Sequence, residues 1–338
     1  LTKQVPEVGL MHPASANQSG LGAPALDDLR VCVPLPDPVT ADEVFSRLCM
    51  LAFSGAGHRE RAVAERLAAS DLVLLEVVTA CAGRVVPLSA HWRVWVPLAT
   101  AFSVGLSAER LLLARVGEQF DFEVTLPSTY WEPRVAGQPA RVLGRVAGAR
   151  ELTTGAFDHD AFWQAAGTFP SLAAAVAAAV AAIDEERAAQ AWLTALHGLY
   201  DLLLERHPVE VSNAAIDTEV LARWQRCDEL ALLRLHVEEQ QRHDSRDAWL
   251  TSGPIRLAAA RSLAISALNE AIARDHKLVL DPVAVEAIAT TFGLTSRGLA
   301  KALTLNGNEV LQTFGALQVA QYLMQRAQVT TGVNAAPA

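Results

Sequence analysis

The sequence predicts a mainly α fold, a multi-helix core with a small β hairpin or sheet inserted at about 120–147 and extended terminal arms. Three observations carry this. Capped segments with helical apolar spacing follow one another almost without interruption from Asp158 to about 327. Clean strand alternation occurs in one place, where Phe120, Phe122 and Val124 interleave with Asp121, Glu123 and Thr125. Turn-forming residues (Pro6, Pro13, Gly20, Gly22, Pro24, Pro34, Pro36, Pro38) punctuate the start of the chain. The implied organisation is an arm over 1–39, a mixed portion over 40–157, an all-helical portion over 158–328 and a tail over 329–338.

Within the arm only Leu29 to Val33 has strand character. Thr40 and Glu43 form a capping box ahead of an apolar face made by Val44, Phe45, Leu48, Cys49 and Ala52, and Gly55 and Gly57 stop that helix. A second helix is expected at about 58–69, carrying Arg59, Arg61 and Arg66. The apolar, β-branched stretch Asp71 to Val96 fits helix or strand equally, because an unbroken apolar run has no diagnostic period. Ser107 caps a helix expected to reach about Val116, and after the 120–125 strand a loop with Pro127, Trp131, Pro133 and Gly137 leads to a short strand from Arg141 to Val146. Beyond it, Asp158 caps a short helix with Phe162 and Trp163. Ser171 caps a long alanine-rich one that breaks near Asp184 and runs on to Pro208. Further helices are expected at about 215–243, 255–274, 282–292, 296–304 and 308–327, two of them with proline in the first turn.

Composition narrows the function classes. With 338 residues, 51% apolar and 19% charged, the chain can bury a sizeable core and is no disordered tail. A net charge of -9 excludes bulk polycationic binding of nucleic acid, so any such contact needs a local patch. The chain has 25 arginines and only Lys3, Lys277 and Lys301 as lysines. Arginine's planar donor fork serves phosphates and desolvated interfaces, although alanine and arginine enrichment together also follow from GC-rich coding. Cys32, Cys49, Cys81 and Cys227 lack metal or redox spacing and read as buried hydrophobes in a reducing compartment. Leu172 to Ile183 is too short to span a bilayer, and Leu1-Thr2-Lys3-Gln4 lacks signal-peptide layout. Neither a membrane partner nor secretion through a signal peptide is expected.

The sharpest local pattern is VEAIATTFGLTSRGLAKAL, Val285 to Leu303, with Ala289 at a helix contact, Gly293 in a turn, and Leu294 and Leu299 behind it. It resembles the helix-turn-helix of phage repressors and antitoxins, and that resemblance implies Thr295, Ser296, Arg297 and Lys301 facing a DNA groove. An ordinary helical corner has the same spacing. Gly298 inside the second helix, and Asp281, Glu286 and Glu309 set against Arg297 and Lys301, favour the corner. His236, Glu239 and His243 share one face of an expected helix as a metal site would require, yet the surrounding Glu238, Gln240, Gln241, Arg242 and Asp244 fit a solvated face. Gly55-Ala56-Gly57 lacks the third glycine of a dinucleotide loop, and phosphate-loop and hydrolase-elbow motifs are absent. No catalytic residue, metal ligand or cofactor is therefore assigned. Trp92, Trp95, Trp131, Trp163, Trp192, Trp224 and Trp249 are dispersed, and Trp131, in the proline-rich loop, is the one placed to meet a partner.

Three classes fit. The leading expectation is a self-assembling structural subunit, a viral coat, capsid or nucleocapsid protein enclosing a nucleic-acid genome. Its partners would be copies of itself, its location the virion, and Arg59, Arg61 and Arg66 its nucleic-acid contacts. The alternatives are a helix-turn-helix DNA-binding regulator resting on 285–303 and an enzyme with a dispersed site, either of them cytoplasmic.

Overall fold

The computed structural model describes residues 22, 24–55, 58–98, 108–152, 159–280, 283, 285–286 and 296–332, by backbone alone at 54, 55, 108 and 296–310. It corrects the expected fold class. The chain is 52% helix and 21% strand, with a six-stranded antiparallel sheet and a separate parallel pair, which makes it a mixed α/β fold. In order the elements are β1 (Arg30–Pro34), α1 (Ala41–Gly55), β2 (His58–Glu60), β3 (Leu72–Cys81), β4 (Arg84–Val85), β5 (His91–Pro97), α2 (Ala108–Leu111), β6 (Gln119–Thr125), β7 (Pro139–Leu152), α3 (Asp160–Ala166), α4 (Leu172–Arg206) and α5 (Asn213–Trp224). A π-turn (Gln225–Glu229) follows, then α6 (Leu230–Arg234), α7 (Glu239–Thr251), α8 (Gly253–Asp275), α9 (Ser296–Arg326) and β8 (Gln328–Gly332). The chain divides into two compact units, whose main segments are Pro38–Glu186 and Val220–Arg256 in the first and Glu7–Asp37, Arg187–Glu219 and Leu257–Ala338 in the second.

The first unit is organised by the sheet. β7 pairs antiparallel with β3 along one side and with β6 and β2 along the other, and β3 in turn pairs with β5 and β4. The expected 120–147 insertion is thus one corner of a larger sheet, and the undecided 71–96 stretch is its centre. β3 lacks alternation because both its faces are covered. Val73, Leu75 and Val77 pack with Phe120, Val142, Val146 and Leu111, while Val78 packs with Ala90, Ala231 and Leu232 on the opposite face. Gly144 in β7 is required by packing, since a Cβ there would lie 2.5 Å from the Glu76 carbonyl oxygen and 2.6 Å from the Phe120 ring.

The helix expected at 58–69 is absent, and the one expected from 107 to 116 contracts to the four residues of α2. After β2 the chain turns at Ala64, with φ of 67°. Carboxylates hold those turns: Glu65 accepts from the Ala62 N–H at 2.9 Å and Asp71 from the Ala68 N–H at 2.7 Å. Side-chain acceptors of this kind compete with the helical ladder for its donors. The capping box forms as expected, with Thr40 N–H donating to Glu43 Oε2 at 2.8 Å and Glu43 N–H to Thr40 Oγ1 at 3.4 Å. A second cluster joins α1, α3 and the start of α4, where Ala175 and Ala179, one turn apart, let Leu48, Ala52 and Trp163 approach closely.

In the second unit, Leu199, Leu203, Leu268, Ile272, Val319 and Leu323 form a core, joined by Leu26, Leu29 and Val31 from the segment expected to be an arm. Within it Arg30–Pro34 forms a strand. β1 pairs in parallel with β8, so residues from opposite ends of the sequence form one ribbon. The break expected near Asp184 does not occur, α4 being continuous over 35 residues. Nor does the break between 304 and 308, since α9 runs unbroken for 31. Cys49 and Cys81 are buried as expected, whereas Cys32 and Cys227 are exposed. Among the described residues no helix is long and apolar enough to cross a membrane.

Candidate functional site

The site lies in the first unit, around α6. The helical segment reaching α6 contains the π-turn, whose extra residue per turn re-aims side chains locally. One of them, Asp228, is driven into the interior at 1% exposure. Its Oδ2 accepts from the Leu88 N–H at 3.0 Å and the Trp249 Nε1–H at 2.7 Å, while its Oδ1 is buried without a hydrogen-bond partner among the described residues. Leu88 has φ of 60°, a left-handed conformation costly for a leucine, and the bond to Asp228 holds it there. Burial pushes the Asp228 carboxyl up to about 7, against the lowering by its two donors.

A second buried carboxylate locks the loop after β6 to α7. Glu132 accepts from the Ser252 hydroxyl and from Arg134 Nε at 3.1 Å, and Arg134 also donates to Thr251 Oγ1 at 3.1 Å and the Ala248 carbonyl at 3.2 Å. Burial pushes the Glu132 carboxyl up, but these partners outweigh it and hold the group below the ordinary range. Trp224 Nε1–H donates to Ser245 Oγ at 3.3 Å, tying α5 to α7.

On this base α6 forms a ridge. Ala231 and Leu232 face the sheet, whereas Leu230 and Leu233 are 56% and 46% exposed. The chain then turns at His236, with φ of 55°, before α7 begins. Two concavities adjoin this segment, one lined by Leu233 and the other by Arg234 to Val237. One, of about 330 Å³, is walled by Trp224, Leu221 and Leu233 and rimmed by Glu229, Glu239, Arg242, His243 and Arg246. The other, of about 530 Å³, is walled by Trp92, Val78, Leu143 and Val237, with Glu76 and Arg145 paired at 2.7 Å within it and Arg234 and His236 at its rim. Each cleft combines an indole wall, aliphatic side chains and charges of both signs, an arrangement suited to gripping apolar side chains of an extended chain. Asp228 lines neither cleft.

Most residues singled out from sequence fall elsewhere. Arg59 and Arg61 bind carboxylates: Arg59 pairs with Glu65 at 2.6 Å and with Glu151, and Arg61 is bidentate to the fully buried Asp71, with Nη2 to Oδ1 at 2.9 Å. The Arg59 bond, the Ala62 N–H and Arg61 hold Glu65 down at about 2. Arg66 is exposed and bridges Arg115 through its backbone. The three arginines therefore share no helix. Trp131 is half-buried against Tyr130. Thr295, like Ala289, Gly293 and Leu294, lies outside the described residues, and Ser296, Arg297 and Lys301 are described by backbone alone in α9. The helix expected to carry His236, Glu239 and His243 ends before His236, so the three share no helix face, and among the described residues no cluster of three or more His, Cys, Asp or Glu fits a metal ion. The missed residues are Trp92, Trp224, Asp228, Leu230 and Leu233. For Leu230 and Leu233 the signal was the density of apolar residues in ELALLRLHV, too high for one buried face; Trp92, Trp224 and Asp228 had no local signal.

No protein-family model matches the chain, and no curated protein matches it. A solved structure from work on promiscuous substrate recognition in the folding and assembly activities of the trigger factor chaperone aligns with a TM-score of 0.28 and 13% identity, over 88% of this chain and 73% of that one. A likeness that loose assigns nothing.

Proposed function

We propose that this protein holds apolar segments of non-native polypeptides, a chaperone-like binding activity without catalysis or cofactor, and that the α6 ridge with its two clefts is a contact surface. The carrying observation is the pair of exposed leucines, Leu230 and Leu233, the second of which lines one tryptophan-walled concavity with charged lining residues while the residues just after it, Arg234 to Val237, line another. A contiguous apolar patch rimmed by polar residues marks a protein interaction site. Apolar walls select for hydrophobicity rather than sequence, and rims of mixed charge repel neither sign of client.

The same exposed leucines support a second reading, in which copies of the chain cover them in a self-assembled coat enclosing nucleic acid. One experiment separates the two. Light scattering follows a heat-unfolded reporter enzyme with wild-type protein or with Leu230→Ser/Leu233→Ser, and sedimentation measures the mass of each. Holding predicts suppressed scattering by the wild type, a marked loss in the double variant and no large particles. Large particles that the double variant dissolves, with no suppression, would overturn holding in favour of assembly.

A further inference from the structure

We propose that the outer edge of β8 accepts an extended, uncharged, β-branched-rich segment of a client polypeptide as a third strand of the β1–β8 ribbon; this rests on the holding function and adds a second mode of contact, in the other unit. The ladder assigns each backbone group. Gln328 N–H donates to the Leu29 carbonyl at 2.7 Å and Leu35 N–H to the Gly332 carbonyl at 3.3 Å. With the parallel register Arg30 to Gln328 through Pro34 to Gly332, alternation directs Gln328, Thr330 and Gly332 toward β1 and leaves the N–H and C=O groups of Val329 and Thr331 on the outer edge. Among the described residues no hydrogen bond reaches them there.

The two edges of the ribbon differ. On the outer edge of β1, Pro34 offers no N–H and Arg30 places a charge, both devices that discourage strand addition. β8 reads Gln-Val-Thr-Thr-Gly, with neither proline nor charge, and Val329 is 47% exposed. Two-stranded parallel ribbons are poorly protected by themselves. Val329 and Thr331 lie beside Val31 and Val33, which pack into the core of this unit, so their side chains share that face. A strand added outside β8 would therefore bring alternate apolar side chains against the exposed flank of Val329. An uncharged edge gives no reward to a charged strand, and main-chain pairing reads conformation rather than sequence. Five residues span only about 17 Å, an edge too short to supply the roughly 1,200 Å² at which specific complexes become stable. That favours transient engagement of an extended segment over a lasting dimer.

The test uses the full chain and an acetyl-capped peptide of alternating valine and threonine, labelled with fluorescein through a polyethylene glycol spacer. Anisotropy should report binding, and peptide should slow amide exchange at Val329 and Thr331 while leaving Thr330 and Gly332 unchanged. Thr331→Pro removes an outward N–H that the β1 ladder does not use, so affinity should fall about tenfold with the thermal midpoint kept. Val329→Lys should weaken binding too without touching the main chain. Wild-type affinity in both variants, or protection at Arg30 and Cys32 instead, would overturn the assignment. So would protection of Val329 and Thr331 that grows with protein concentration and needs no peptide, which would make a second copy the occupant. Edge variants that leave holding of the reporter enzyme and peptide binding intact sink this inference alone. A wild type that holds no reporter sinks the ridge.

Discussion

Replacing Asp228 with asparagine should shift the stability of the first unit upward relative to wild type as the pH rises, with a net gain at pH 8. The carboxyl ionises near the ordinary 3.8 when unfolded and at about 7 in place. Between those values the native state binds more protons than the unfolded one, so this group's contribution to stability falls as pH rises from about 4 to about 7 and is flat beyond. At about 1.36 kcal/mol per unit, the full loss is about 4 kcal/mol, of which a little over a third is already present at pH 5. Asparagine keeps an acceptor for Leu88 and Trp249 but places an amide N–H₂ where Oδ1 has no partner, a constant cost of about 1–3 kcal/mol. Subtracting the two pH values removes that constant. The advantage of Asp228→Asn over wild type should therefore grow by about 3 kcal/mol between pH 5 and pH 8. Asp228→Ala should show the same growth from a lower starting point, since it also strands the Leu88 and Trp249 donors. Urea denaturation at several pH values, followed by tryptophan fluorescence, measures both curves. A variant-minus-wild-type difference that stays constant across pH would show that Asp228 titrates alike in the native and unfolded states, and the buried-acid argument would fail.

Arg61→Ala should cost about 3–5 kcal/mol, because it leaves the fully buried Asp71 carboxylate uncompensated; a loss below about 1 kcal/mol by urea denaturation would show that Asp71 is not held as a buried charge. Gly144→Ala should destabilise at or above the upper end of about 1–3 kcal/mol, since the Glu76 carbonyl, a backbone atom, cannot yield to a Cβ 2.5 Å away; a thermal midpoint equal to wild type would refute that packing. Thr40→Ala should cost about 1 kcal/mol through loss of the cap, read as a lowered thermal midpoint.

How far these features were legible depends on the range of the interactions involved. The Thr40 and Glu43 box and the 120–125 alternation are local, so the sequence shows them directly. β3 was not legible, because covering both faces of Leu72–Cys81 erases the period that distinguishes strand from helix. The 58–69 segment misled for another reason: its alanines, glutamates and arginines favour a helix, but Glu65 and Asp71 bind turn amides, and Arg59 and Arg61 reach Glu151 near the end of β7. The β1–β8 ribbon joins residues about 300 apart, beyond any window. The ridge lies between these cases. In Leu230 to Leu235 only Arg234 is polar. A helix resting on one wall buries about half its circumference, so such a segment must either meet a second wall or leave leucines in water. The sheet supplies one wall, through Val78, Val85 and Ala90, and Leu230 and Leu233 remain outside it. Composition alone thus required an exposed or partner-covered apolar surface here, and only the packing of Ala231 and Leu232 onto the sheet determines which residues form it.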